Sequence, residues 1–186
     1  MEFTRSVPVE HNQVTLDLIK DRIRNIPDYP KPGIQFKDIT TVLKEKVFFS
    51  FILDRLGALY RDKKITKVVA VEARGFIFGG ALAAALGAGF VPIRKPGKLP
   101  AGKNRVDYKL EYGEDAIEIH KDALTPGDVV LLHDDLLATG GTSKAAVRLI
   151  EITAPVQIFL NFIVELDFLH GRENIGNYAI TSLIHY

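Results

Sequence analysis

A chain of 186 residues has the size of one domain and enough length to bury a substantial core. It is 47% hydrophobic and 25% charged with a formal net charge of +1, so there is no bulk electrostatic case for binding nucleic acid or a membrane. The absence of cysteine excludes disulfides and thiolate metal sites and fits a cytoplasmic setting, and His11, His120, His133, His170 and His185 have no metal-ligand spacing.

The N-terminus lacks the basic-then-apolar pattern of a signal peptide, and residues 1–12 have no clear period. Residues 14–24 put Val14, Leu18, Ile19 and Ile23 at helical spacing. Three prolines within residues 26–34 exclude a helix there and predict an irregular, stiff segment, followed by Phe36 among polar neighbours. Residues 47–60 read as a helix through Phe48, Ile52, Leu56 and Leu59. A short β-branched strand over 67–71 ends in Glu72-Ala73-Arg74-Gly75, and the Ala/Gly-rich residues 76–86 predict a helix packed closely on a sheet. The longest apolar stretch, residues 79–92, is too short to span a bilayer.

Residues 90–94 form the next strand. The polar stretch 95–107 reads as a mobile loop, and residues 108–112 and 116–120 alternate as a hairpin with Gly113 in its turn. Pro126-Gly127-Asp128 is a turn, and the four apolar residues 129–132 predict a strand buried on both faces, running out at Asp134 and Asp135. A glycine-centred loop, Ala138-Thr139-Gly140-Gly141-Thr142, and an amphipathic helix over 144–152 follow. A strand over 156–164, a short helix over 166–174 and a last strand over 178–184 complete the chain. Strands alternating with helices predict an α/β fold: a mainly parallel twisted sheet flanked by helices, with a loop and hairpin over the site. In such a sheet the polar clusters at residues 72–75, 94–98 and 134–142 would converge at the carboxyl ends of the strands.

The stretch from Val129 to Thr142 carries the chemistry. Glycines let a backbone approach an anion, and N–H groups at a helix start carry partial positive charge, which together make a phosphate cradle. Carboxylates accept from sugar hydroxyls or from the waters of Mg²⁺. A sugar phosphate with vicinal hydroxyls would satisfy both halves, whereas a plain turn and helix cap needs neither two adjacent acids nor a Gly-Gly pair.

Several apolar residues, two acids, two apolar residues and Ala-Thr-Gly-Gly-Thr resemble the 5-phosphoribosyl-1-pyrophosphate motif of the type I phosphoribosyltransferases. Within them, Tyr29-Pro30-Lys31-Pro32-Gly33-Ile34-Gln35-Phe36-Lys37-Asp38-Ile39 resembles the base-binding segment of the adenine phosphoribosyltransferase family. So do Glu72-Ala73-Arg74-Gly75-Phe76, residues 94–100 and Leu110-Glu111-Tyr112-Gly113, each in its expected order.

The resemblance implies a single phosphoribosyltransferase domain over residues 1–186. Residues 1–40 would be its N-terminal helix and base-binding segment, and 95–112 a mobile catalytic loop. It further implies purine salvage in the cytoplasm by a homodimer that takes adenine and 5-phosphoribosyl-1-pyrophosphate with Mg²⁺ as cofactor. By position, the backbone of Gln35 and Lys37 would bond the adenine edge, with Phe36 and Leu136 on the ring; a plain core aromatic is the other reading of Phe36. Ala138, Thr139, Gly140, Gly141 and Thr142 would hold the 5-phosphate, and Asp134 and Asp135 the ribose hydroxyls, with the metal held through the diphosphate and by those two acids as further ligands. Arg74, at a cis peptide joining Glu72 and Ala73, would bind pyrophosphate together with Arg94 and Lys98, Arg94 across a dimer interface. Glu111 would be the acid/base residue. Lys37 stands where many members have Arg, and His133 where an apolar residue is commoner; it reads as a packed strand-end histidine, with tuning of the acids as the alternative.

A purine-responsive repressor on the same fold would add a DNA-binding region and a basic surface that this chain does not have. Action on hypoxanthine, guanine or xanthine is opposed by the proline-rich segment around Phe36. A nucleoside-triphosphate hydrolase lacks its phosphate motif here, since Gly97-Lys98 is followed by Leu99.

Overall fold

The computed structural model describes residues 10–110 and 113–186. The chain divides between Arg55 and Leu56 into two compact units.

In the first unit a 3-10 turn, His11–Gln13, leads to α1 (Leu16–Arg22), two residues shorter at each end than its apolar spacing predicts. Thr15 caps it by accepting from the Leu18 N–H at 3.1 Å, and the backbone turns extended at Ile23. The proline-rich stretch is more ordered than predicted. β1 (Arg24–Pro27) pairs antiparallel with β2 (Gln35–Asp38), in register from Arg24 opposite Asp38 to Pro27 opposite Gln35. Pro27 is tolerated because a two-stranded ribbon leaves each strand an outer edge. Between the strands Tyr29–Pro30 is cis, and the Asp28 carboxylate accepts from the Gly33 N–H at 2.7 Å. Tyr29 meets Phe36 edge-on, with ring centroids 5.2 Å apart. The short α2 (Thr40–Leu43) follows.

Across the division runs α3 (Lys46–Tyr60). It buries Phe48, Ile52, Leu56 and Tyr60, a strict four-residue spacing; the predicted Leu59 is 45% exposed instead.

The second unit is built on parallel strands. β3 (Lys67–Val71) leads through α4 (Gly75–Leu86) to β4 (Gly89–Ile93). An antiparallel hairpin follows, β5 (Lys103–Leu110) with β6 (Gly113–His120). Then come β7 (Val129–Leu137), α5 (Gly141–Glu151), β8 (Gln157–Glu165), α6 (Gly171–Ile175) and β9 (Ala179–His185). The five-stranded sheet has the order β4-β3-β7-β8-β9, parallel throughout, as the alternation of elements predicts.

Several boundaries differ from the sequence reading. β7 continues past residue 132 through both acids, because parallel pairing with β8 persists to Leu137 opposite Glu165. Residues 103–107, predicted as loop, are strand: Val106 and Tyr108 turn inward onto the core while Arg105 and Asp107 face out, the period of two that charged neighbours obscure. Gly113 begins β6 rather than occupying a turn. The helix predicted over 166–174 is broken at His170, whose φ of 51° separates a 3-10 turn, Asp167–Leu169, from α6.

β7 sits at the centre of the core. Val130, Leu131 and Leu132 are all buried, since α5 and α4 pack on the sheet around it. α5 buries Ala145, Ala146, Val147, Leu149 and Ile150 and leaves Lys144, Arg148 and Glu151 outside. Each large apolar side chain removed from water contributes about 1.5–3 kcal/mol.

The turn before β7 is locked from within. Asp128, buried, accepts from the Thr66 hydroxyl at 2.6 Å with one oxygen, and with the other from the Thr125 N–H at 2.7 Å and its hydroxyl at 3.0 Å. Burial alone would raise its pKa; the Thr66 and Thr125 bonds outweigh it and hold the carboxyl below the ordinary range. Asp128→Ala strands these donors and should lower the unfolding free energy at pH 7 by about 1–3 kcal/mol. With a lowered folded-state pKa, the stability that the carboxylate contributes is full above its ordinary pKa and is lost as pH falls through the folded value. Urea titrations at pH 7 and pH 3 should therefore show the gap between the parent and Asp128→Asn narrowing at the lower pH.

Candidate functional site

At the carboxyl ends of β3 and β7 the second unit encloses a cavity of about 220 Å³. Its lining includes the carboxylates Glu72, Asp115, Asp134 and Asp135, the cations Arg74 and Lys95, and the hydroxyls of Tyr108 and Thr142. The strand ends thus meet as the fold rule requires.

Asp134 and Asp135, consecutive in an extended strand, leave it on opposite faces. Asp135 is buried and ion-paired with Arg74, its Oδ2 2.9 Å from Nε. Asp134 accepts from the Asp135 N–H at 2.9 Å and lies against the start of α4, where a Cβ at Gly75 would stand 2.9 Å from Oδ1. Burial, and then the neighbouring charge of Asp135, push the Asp134 carboxyl well up; burial also raises Asp135, and Arg74 opposes it. Both carboxyls therefore hold a proton more readily than an ordinary aspartate, and a bound cation or hydroxyl donor would relieve the pair.

His133, fully buried one residue upstream, has Nδ1 2.6 Å from Oδ1 of Asn161. Burial lowers its pKa to about 4, so it is neutral near pH 7. This is the packed histidine, with no charge to tune the acids.

The Glu72–Ala73 peptide is cis. Glu72 takes both Nε and a terminal nitrogen of Arg94, at 3.2 and 2.9 Å, and the Lys95 N–H at 3.1 Å. That fork occupies Arg94, which also donates to the Lys98 carbonyl at 3.1 Å. Of the basic residues in the 94–98 cluster, Lys95 lines the cavity; Arg94 and Lys98 do not.

Lys95 pairs with Asp115, which also accepts from the Tyr108 hydroxyl at 3.3 Å; the Thr142 hydroxyl in turn donates to Tyr108 at 3.3 Å. Lys95 belongs to the predicted 94–98 cluster, whereas Tyr108 and Asp115 are not among the predicted site residues. The available signal was register: Asp115 shares its strand face with Ile117 and Ile119 and stands opposite Tyr108.

The loop after β7 turns at Gly140, whose φ of 81° caps α5, and the Lys144 N–H closes the first helical turn onto the Gly140 carbonyl at 2.8 Å. The N–H groups that open α5 lack carbonyl partners within the helix and can receive an anion. Ala138, Thr139, Gly140, Gly141 and Thr142 are all in or beside this turn, with Leu136 half-buried in β7. Gln35, Phe36 and Lys37 lie on β2 of the first unit. Glu111 lies outside the described residues.

An acidic pair, an arginine set against it and a glycine-capped helix start at the end of a parallel sheet define a phosphoribosyltransferase-type domain, and residues 48–181 match the family described as "Phosphoribosyl transferase domain". The chain is 52% identical over 168 residues to the adenine phosphoribosyltransferase of Solibacter usitatus, an alignment covering 90% of this chain and 97% of that protein. Its fold is similar to that of adenine phosphoribosyltransferase from Thermoanaerobacter pseudethanolicus, with TM-score 0.89, 50% identity and coverage of 92% of this chain and all of that one. The APRTase of Giardia lamblia complexed with 9-deazaadenine is similar too, with TM-score 0.88, 42% identity and coverage of 93% and 98%. The chain belongs to the adenine phosphoribosyltransferase family.

Gly140 tests the loop. A Cβ there would lie 2.3 Å from the Gly171 carbonyl oxygen, in addition to the left-handed backbone. Gly140→Ala should cost at least about 1–3 kcal/mol in unfolding free energy, measured by urea denaturation.

Proposed function

We propose that the chain transfers the 5-phosphoribosyl group from 5-phosphoribosyl-1-pyrophosphate to adenine, giving AMP and pyrophosphate. The observation that carries this reading is the meeting of Asp134, Asp135, Arg74 and Thr142 in one cavity of a chain belonging to this family. Asp134 and Asp135 accept from the ribose hydroxyls. The loop from Ala138 to Thr142 takes the 5-phosphate on its N–H groups.

The bond from C1′ to pyrophosphate breaks early, so positive charge grows on the ribose and negative charge on the leaving group. Arg74 and Lys95 face that leaving charge, and Arg94 and Lys98 extend the basic surface beside them. Magnesium fits a cavity lined by hard carboxylate oxygens outnumbering its cations, and on the diphosphate it would neutralise leaving-group charge. The base-binding segment of the family, here Gln35, Phe36 and Lys37, offers backbone groups and an aromatic face to adenine, and Glu111 exchanges its proton. No covalent nucleophile is required.

We place the enzyme in the cytoplasm, since a donor as highly charged as 5-phosphoribosyl-1-pyrophosphate does not cross membranes unaided; no helix among the described residues is long and apolar enough to span one. A homodimer is supported by the exposed Ile77 and Phe90, 41% and 40% accessible, on neighbouring elements α4 and β4.

A product assay with each purine base, the donor and Mg²⁺ tests the assignment. A 6-oxo group reverses donor and acceptor at the recognised edge, and each mismatch costs about 1–3 kcal/mol, so adenine should be preferred over hypoxanthine by at least about tenfold in kcat/KM. Equal turnover of the two would overturn it. Replacing both acids, Asp134→Asn with Asp135→Asn, should weaken donor binding by at least about tenfold with the fold retained, as read by calorimetry and circular dichroism.

A further inference from the structure

The phosphate loop has a second support, from a part of the chain that contributes nothing to the cavity lining. The side-chain amide of Asn174, on the exposed side of α6, donates to the Thr139 carbonyl at 2.7 Å. One turn earlier Gly171 is pressed against the same loop, so closely that a Cβ on it would stand 2.2 Å from the Ala138 carbonyl oxygen. Two successive loop carbonyls therefore face α6.

Among the described residues only the Tyr29–Pro30 and Glu72–Ala73 peptides are cis, so those following Ala138 and Thr139 are trans. In a trans peptide the C=O and N–H point in opposite directions. Turning the Ala138 and Thr139 carbonyls onto α6 turns the N–H groups of Thr139 and Gly140 away from it.

α6 itself is clamped. Arg172 grips Glu165 at the end of β8 with two contacts of 2.6 Å, and donates to the Ile180 carbonyl of β9 at 2.9 Å. Glu165 is buried and also accepts from the Ser182 hydroxyl at 2.5 Å. Burial opposes its ionisation, and the Arg172 and Ser182 bonds outweigh that and hold its pKa down, so the clamp stays ionised near neutrality. The anchor is thus the sheet, and the loop is oriented against it.

We infer that Asn174 is a positioning residue for the 5-phosphate: backed by Gly171 and the Glu165–Arg172 clamp, it presets the Thr139–Gly140 peptide so that its N–H faces the phosphate before ligand arrives. This rests on the reading of the loop as the 5-phosphate site.

The experiment uses Asn174→Ala, whose side chain is exposed and whose loss leaves the clamp intact, with Glu173→Ala on the same helix as the control. Calorimetry with AMP, which carries the 5′-phosphate, should show Kd raised about threefold to tenfold for Asn174→Ala and unchanged within about twofold for Glu173→Ala. KM for the donor should rise in parallel, while KM for adenine, kcat at saturating donor and Tm stay near the parent's. Parental AMP affinity in Asn174→Ala overturns the inference, and so does an equal loss of adenine and AMP binding, which would make Asn174 merely structural. A parent chain that neither binds AMP nor forms it overturns the functional reading itself, an outcome distinct from both.

Discussion

Two carboxylates held side by side at the end of a strand that is covered on both faces repel each other and resist leaving water. The structure meets that cost locally. Arg74 reaches Asp135 from the turn after β3, the Asp135 N–H answers Asp134, and Gly75 leaves room for the carboxylate to lie against the start of α4. The order of the sheet follows from the same need: β3 must neighbour β7 for Arg74 to arrive, and it does. What remains unbalanced in the pair is a demand for hydroxyl donors and cations, which is the chemistry of a metal-bound sugar diphosphate.

The hairpin answers a different demand. β5 and β6 bring Tyr108 and Asp115 over the cavity, tying Lys95 on one side to Thr142 on the other. Lys95 and the Thr142 hydroxyl are thereby oriented by the protein's own polar atoms, while the N–H groups that open α5 are left to the phosphate. The same hairpin contributes Ile117 and Ile119 to the core, which ties the cover of the site to the stability of the unit.

Much of this was legible in the residues. The apolar run before the acids, the Gly-Gly turn and the amphipathic helix after it each have a local cause, and β3, β7 and α5 form over those stretches, with β7 running on through the acids and α5 starting at Gly141. The polar company of the site was less legible. Tyr108 and Asp115 are brought to it by cross-strand register, a non-local relation that strand periodicity hints at only when the strand itself is recognised, and the charges of residues 103–107 mask that alternation. Lys95 rather than Lys98 lines the cavity because the Glu72 carboxylate fixes the backbone at residue 95. His133 illustrates the converse: its chemistry invited a role, and complete burial beside Asn161 leaves it neutral packing.

The opposite-facing placement of Asp134 and Asp135 has an evolutionary consequence. An insertion or deletion of one residue anywhere in β7 upstream of the pair would exchange the two acids between the faces of the sheet, sending Asp135 out of reach of Arg74 and carrying His133 out of its buried niche. Point substitutions can be tested there one at a time, but length cannot. A change of chain length within β7 therefore costs the site as a whole, whereas one in a connection beyond the sheet leaves the strand's register intact.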